Sequence, residues 1–116
     1  WLIGIILFGL VLGCGGSSQT CTGELTVEGN TFRGMDRDIE QAQKNTCSKY
    51  CIEGDPAFDG MYRIWLDSPE GKKMKNPGKW AAMAEDKTLF KYVEECTENC
   101  LRKHREGKQN IEVKCQ

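Results

Sequence analysis

The sequence predicts a small α+β domain in which a disulfide-stapled, antiparallel helix pair covers a short antiparallel sheet. Three observations point there. The stretches "CSKYC" (47–51) and "CTENC" (96–100) repeat one cysteine spacing, each within a segment of helical periodicity. The stretches "CTGELTVEGNTFRG" and "NIEVKC", near the two ends, alternate apolar and polar residues as half-buried strands do. In both, the cysteine keeps the phase of the apolar positions: Cys21 with Leu25 and Val27, Cys115 with Ile111 and Val113.

A chain of 116 residues suits one domain. Sixteen Lys and Arg against seventeen Asp and Glu give no net pull toward nucleic acid or an acidic polymer. The hydrophobic fraction, 39%, is modest, and the first turns of the chain hold much of it, so the remainder builds a small core. Small cores need staples, and seven cysteines supply them. Seven is odd, so one has a different task.

Residues 1–13, "WLIGIILFGLVLG", are apolar or Gly without a charge. They are too few to cross a bilayer, which takes about 20 residues, and they fit the apolar part of a secretory signal. The chain begins at Trp1 rather than Met, so a basic segment is expected upstream; an apolar one would make a membrane-spanning helix the alternative. Val11-Leu12-Gly13-Cys14 resembles the lipobox of bacterial lipoproteins, with an aliphatic residue, a variable residue and a small residue before the cysteine. The resemblance implies cleavage before Cys14 and lipid on its sulfur and new amino group. Gly15-Gly16-Ser17-Ser18 then reads as a flexible tether. The expected organisation is a signal segment (1–13), a lipidated Cys14 with its tether (14–19), and one disulfide-rich domain (20–116).

In the first strand segment, Gly29-Asn30 reads as a two-residue hairpin turn that sets Val27 opposite Phe32. From Asp36 to Cys51, Ile39, Gln43, Cys47 and Cys51 recur every four residues, with Ala42 and Tyr50 beside them, as one helical face. Asp36 and Asp38 suit its first turn, and Gly54 its end. From Asp86 to Gly107, Leu89, Val93, Cys96 and Cys100 form a second stripe, flanked by Phe90 and Leu101. Asp86 caps that helix, Lys103, His104 and Arg105 occupy its last turn, and Gly107 its C-terminal cap.

Residues four apart on a helix point the same way, so neither cysteine pair is aimed at itself. Six cysteines permit fifteen pairings. Antiparallel helices join Cys47 to Cys100 and Cys51 to Cys96, whereas parallel ones would join Cys47 to Cys96. The antiparallel arrangement lets the terminal strands meet, which makes Cys21–Cys115 the third bridge. Each closes a long loop, nominally worth about 4 kcal/mol.

Between the staples, Asp55-Pro56 reads as an N-cap with proline at the first helical position. Phe58, Met61, Tyr62 and Trp65 mark an amphipathic helix ending near Asp67, and Ser68-Pro69 starts a short turn. "EGKKMKNPGK" reads mostly as exposed loop, and Trp80 to Met83 as one more short helix after Asn76-Pro77. Tyr62, Trp65 and Trp80 are expected in the core, with a ligand-lining surface as the alternative.

Thiol-redox sites use CxxC at helix N-termini; these pairs are CxxxC and sit toward C-termini. Cys96, Cys100 and His104 recur every four residues and, with Cys47 and Cys51, form the set from which a zinc site would be drawn. Haem attachment needs CxxCH, which is absent. Glu53, Asp55 and Asp59 cluster, but Pro56 and Phe58 break a calcium-loop pattern. The basic runs Lys72, Lys73, Lys75, Lys79 and Arg102, Lys103, Arg105, Lys108 read as solvated surface, with anionic lipid or an acidic partner as the functional alternative. The doubled CxxxC is similar to that of the small twin-CxxxC chaperones of the mitochondrial intermembrane space, in the Cys pairs alone.

The expectation is a non-enzymatic, lipid-anchored module of the bacterial cell envelope, facing the periplasm or exterior. It has no cofactor, meets the membrane through Cys14, and binds an envelope protein or polymer rather than nucleic acid. The rival is a metal-binding or thiol-redox lipoprotein.

Overall fold

A computed structural model describes residues 19–116. The signal, lipobox and Cys14 assignments lie outside the described residues. Strands β1 (Cys21–Val27) and β2 (Asn30–Asp36) form a hairpin, and β3 (Glu112–Cys115) returns beside β1. The sheet is antiparallel throughout, in the order β2-β1-β3. Five helices lie between β2 and β3: α1 (Ile39–Glu53), α2 (Pro56–Leu66), α3 (Pro69–Lys73), α4 (Lys79–Glu85) and α5 (Lys87–Arg105). The α+β class and its antiparallel sheet are as the sequence predicts.

The hairpin turn is Glu28-Gly29, one residue earlier than expected. Both residues have positive φ, 49° and 85°, as a type I′ turn requires. Val27 therefore pairs with Asn30, and Leu25 with Phe32. Either register sends the same side chains inward. The one adopted sets Gly23 opposite Gly34, directly beneath α1. A Cβ on Gly34 would fall 2.6 Å from the Asn45 carbonyl carbon, and one on Gly23 3.2 Å from the Ala42 carbonyl oxygen. The paired glycines make a hollow that α1 fills with Ala42 and Thr46, both fully buried. The Thr46 hydroxyl is satisfied there by donating to the Ala42 carbonyl (2.7 Å).

Helix α1 starts at Ile39 rather than in the Asp36 region. Asp36 stays in β2 opposite Cys21, and its carboxylate accepts from the Asp38 N–H (3.1 Å). Asp38 is the N-cap and accepts from the Gln41 N–H (3.1 Å). The buried face runs Ala42, Thr46, Cys47, Cys51, Ile52, whereas Ile39 is exposed, because its position in the first turn overhangs the sheet end. Asp55, Ser68 and Asp86 cap α2, α3 and α5 in the same way. Pro69–Lys73, expected as loop, is helical because Ser68 and Pro69 form a complete start signal. At the end of α5, Gly107 has φ +76° and its N–H reaches the His104 carbonyl.

Only α1 lies broadly across β1 and β2; α5 packs along α1 and reaches the sheet core at Cys100, beside Leu25 and Ile111. The expected stapled pair thus meets the sheet mainly through α1, with α5 joining at Cys100. The core has two parts. Leu25, Cys47, Cys100 and Ile111 form one, beside the sheet. Ile52, Phe58, Trp65, Ala82, Leu89 and Val93 surround Cys51 in the other. Tyr50 packs against both, edge-on to Phe32 at 5.3 Å.

Candidate functional site

All six cysteines of the domain are paired: Cys21–Cys115, Cys47–Cys100 and Cys51–Cys96. The helical phase explains the last two, with Cα separations of 5.8 and 6.0 Å. The first joins strand neighbours in register. Thr20 and Gln116 beside it exchange backbone hydrogen bonds (3.0 and 2.9 Å), so Cys21 and Cys115 form a non-hydrogen-bonded pair, where opposing Cα atoms come closest.

These bonds bear on the thiol and metal readings. Cys96 and Cys100 offer no thiolate, since each sulfur is joined to α1. The His104 ring is held by protein groups instead: the Ile111 N–H donates to Nδ1 (3.3 Å), and Nε2 lies 3.2 Å from the Gln43 side-chain amide. His104 therefore ties the end of α5 to the approach of β3. Among the described residues no three His, Cys, Asp or Glu side chains converge as a metal-ligand set. No described helix is long and apolar enough to cross a membrane.

A polar cluster joins α2 to α5. The Asp55 carboxylate caps α2 through the Phe58 N–H (3.2 Å) and also accepts from the Tyr92 hydroxyl. Burial, then the bond to Asp55, pushes the Tyr92 phenol up to about 12. Burial, then the charge of Asp55, likewise raises Tyr50.

Among the surface concavities of the described residues, the one with the most apolar lining is a groove of 480 Å³ between α1, α4 and α5. Ile52, Val93, Met83, Trp80 and Phe90 supply its apolar surface. Ser48 and Thr97, hydrogen-bonded to each other at 3.1 Å, cross from α1 to α5 within it. Lys44 borders it on α1, and Glu94 and Glu98 border it on α5. Its size falls in the range of small-molecule and peptide sites, roughly 300–1,000 Å³.

Three ties hold α4 as a wall of this groove. Lys79 Nζ meets Asp59 of α2 at 3.0 Å, and Arg63 Nε holds the same carboxylate at 2.8 Å. Those two cations, Arg63 most, hold the Asp59 pKa below the ordinary carboxylate value. The Tyr62 hydroxyl donates to the Pro77 carbonyl (2.7 Å), fixing the entry to α4. The Trp80 indole N–H donates to Glu53 at the end of α1 (2.8 Å).

Trp80 is 48% exposed and Phe90 47%. The expectation that Trp80 belongs to the core is therefore corrected: Ala82, two positions on, points inward, and Trp80 is left on the groove rim. Trp65 is buried as expected, and Tyr62 partly so. The groove was invisible to sequence reasoning because it draws on three separated segments. The available signal was aromatic residues beside helix starts, at Trp80 and Phe90, without a burial partner in phase.

Fold and site together define a small, disulfide-stapled α+β module with one apolar groove of mixed-charge rim. Comparison with protein-family models, curated proteins and solved structures found no match. The functional reading accordingly rests on the residues themselves.

Proposed function

We propose that this chain is a lipid-anchored protein of the bacterial cell envelope, a non-enzymatic module that binds another macromolecule. One observation carries the reading. Six of the seven cysteines pair within the domain, and the seventh is Cys14, at the invariant position of a lipobox-like sequence. Three disulfides suit an oxidising, extracytoplasmic compartment. Cys14, once acylated with two or three chains, holds the domain stably at a bilayer. The groove of α1, α4 and α5 is its binding surface, and the half-exposed Trp80 its most exposed aromatic contact.

Intact mass of the protein recovered from bacterial membranes tests the anchor. The expected species starts at Cys14 and carries the added mass of a diacylglyceryl group and an amide-linked or free amino terminus. Cys14→Ser abolishes that modification. A mature chain in the soluble fraction with unmodified Cys14 refutes the proposal.

A further inference from the structure

We infer that the groove between α1, α4 and α5 receives a short, basic, amphipathic helix from a partner protein; the inference rests on the binding-module reading above. The first argument is shape. On α5 the groove runs from Phe90 to Glu98, a little over two helical turns, or about 12 Å at 1.5 Å per residue. A helix laid along such a groove presents apolar anchors at i, i+3 or i+4, and i+7. Ile52, Met83 and Val93 offer apolar surface for those anchors, flanked by the half-exposed rings of Trp80 and Phe90.

The second argument is charge. Glu94 and Glu98 stand one turn apart on the α5 rim and take part in no ion pair among the described residues. Glu53 adds a third carboxylate beside Trp80. Among the described residues that line the groove Lys44 is the one cation, while Lys91, Arg102 and Arg105 share a neighbouring surface pocket with the two glutamates. A cationic occupant pairs with the two free α5 carboxylates while its apolar face covers Trp80 and Phe90. An acidic occupant would bring like charges to the same rim, which disfavours it. Rim charges of this kind set the on-rate and the specificity, while the aromatic anchors hold the complex.

The test uses the whole chain reconstituted in phosphatidylcholine nanodiscs and labelled with 5-fluorotryptophan. The Trp80 signal is assigned by its loss in Trp80→Phe. The probes are two 14-residue helical peptides with the same leucine face, one with lysine on its polar face and one with glutamate. The lysine peptide is expected to shift the Trp80 resonance saturably and leave the buried Trp65 resonance in place. The exposed double substitution Glu94→Lys, Glu98→Lys is expected to weaken that binding at least tenfold with an unchanged circular dichroism spectrum.

Equal binding of the glutamate peptide overturns the inference, as does undiminished binding by the double variant. A Trp80 shift driven by protein concentration alone would instead identify a second copy as the occupant. A Trp80 shift between the uncleaved precursor and the chain that starts at Cys14 would identify the chain's own apolar segment. Repeating the titration with Cys14→Ser separates the two readings. Anchoring that survives Cys14→Ser, with peptide binding intact, sinks only the envelope assignment; anchoring lost as expected, with no lysine-peptide binding in either protein, sinks only this one.

Discussion

Substituting Gly34 by Ala probes the contact that sets the register of the whole domain. Gly34 has no positive φ, so alanine is conformationally allowed there, and any effect comes from space. The new methyl would lie 2.6 Å from the Asn45 carbonyl carbon and 2.8 Å from Thr46 Cα. Ordinary carbon contacts are about 3.5–4.0 Å, so α1 must retreat by about 1 Å. Both partners are backbone, so no rotamer change relieves the clash. Overpacking of this kind costs about 1–3 kcal/mol, and a backbone collision belongs at the upper end. Restricting the unfolded chain returns about 0.4–1 kcal/mol. The net expectation is a loss of about 2 kcal/mol. Gly60 is the control: it is exposed within α2 and nothing lies within 4 Å of a Cβ there. Gly60→Ala should stabilise by about 0.5–1 kcal/mol through helix propensity. Urea titration of the oxidised proteins reads both, as opposite shifts in midpoint at similar slope. Gly34→Ala as stable as the parent would refute the close-approach account of the register.

Other expectations follow from the staples, the cluster and the groove. Non-reducing peptide mapping should recover Cys21–Cys115, Cys47–Cys100 and Cys51–Cys96, and replacing Cys51 and Cys96 together by Ser should lower stability by at most about 4 kcal/mol; Cys47–Cys96 with Cys51–Cys100 would contradict the antiparallel packing, and any remaining pairing the helix phase as well. Tyr92→Phe removes the hydroxyl bonded to Asp55 and should cost about 1 kcal/mol at neutral pH. The Tyr92 phenol is raised to about 12 in the fold and lies near 10 when unfolded, so its stabilisation is complete below pH 10 and declines as pH rises from there toward 12. Melting temperatures of parent and Tyr92→Phe should therefore converge between pH 9 and roughly pH 11, and a gap that widens would refute the assignment. Trp80→Ala, at a half-exposed site, should change stability by less than about 1 kcal/mol and still abolish lysine-peptide binding measured by calorimetry; a large loss of stability in urea would return Trp80 to the core.

What was legible in the sequence is what one element decides by itself. The phase of Cys47 with Cys51, and of Cys96 with Cys100, follows from the helical period, and the caps at Asp55 and Asp86 follow from local hydrogen bonding. The strand alternation likewise identified the inward residues Leu25, Phe32 and Ile111. What failed depends on distant residues. The turn at Glu28-Gly29 and the expected Gly29-Asn30 bury the same side chains, and they differ in whether two glycines meet under Asn45 and Thr46. That choice is made by helix docking, which no property of the hairpin encodes. Trp80 and Ile39 failed for a related reason: hydrophobicity records what a side chain would gain from burial, whereas the ends of α4 and α1 decide whether it can be buried.

The exposure of Trp80 and Phe90 is also connected with the staples. A domain of this size without cross-links would need nearly every large apolar side chain inside, because its net stability is a small remainder of opposing terms. Here Phe58, Trp65, Leu89 and Ile52 are inside, and three bonds constrain the unfolded chain across separations of 94, 53 and 45 residues. The loops are nested, so contributions of up to about 4 kcal/mol each do not simply add, yet together they are comparable to the stability of a typical domain. With the unfolded state restrained to that degree, two aromatic rings can stay at the surface without endangering the fold. The cross-links lie immediately beside the groove: Cys47 and Cys51 alternate along α1 with the groove residues Ser48 and Ile52, and Cys96 is next to Thr97 on α5. They fix α1 against α5, the two walls whose spacing sets the groove's width. The same bonds that permit an apolar surface thus keep it preorganised, so little ordering of the domain opposes the entry of a partner helix.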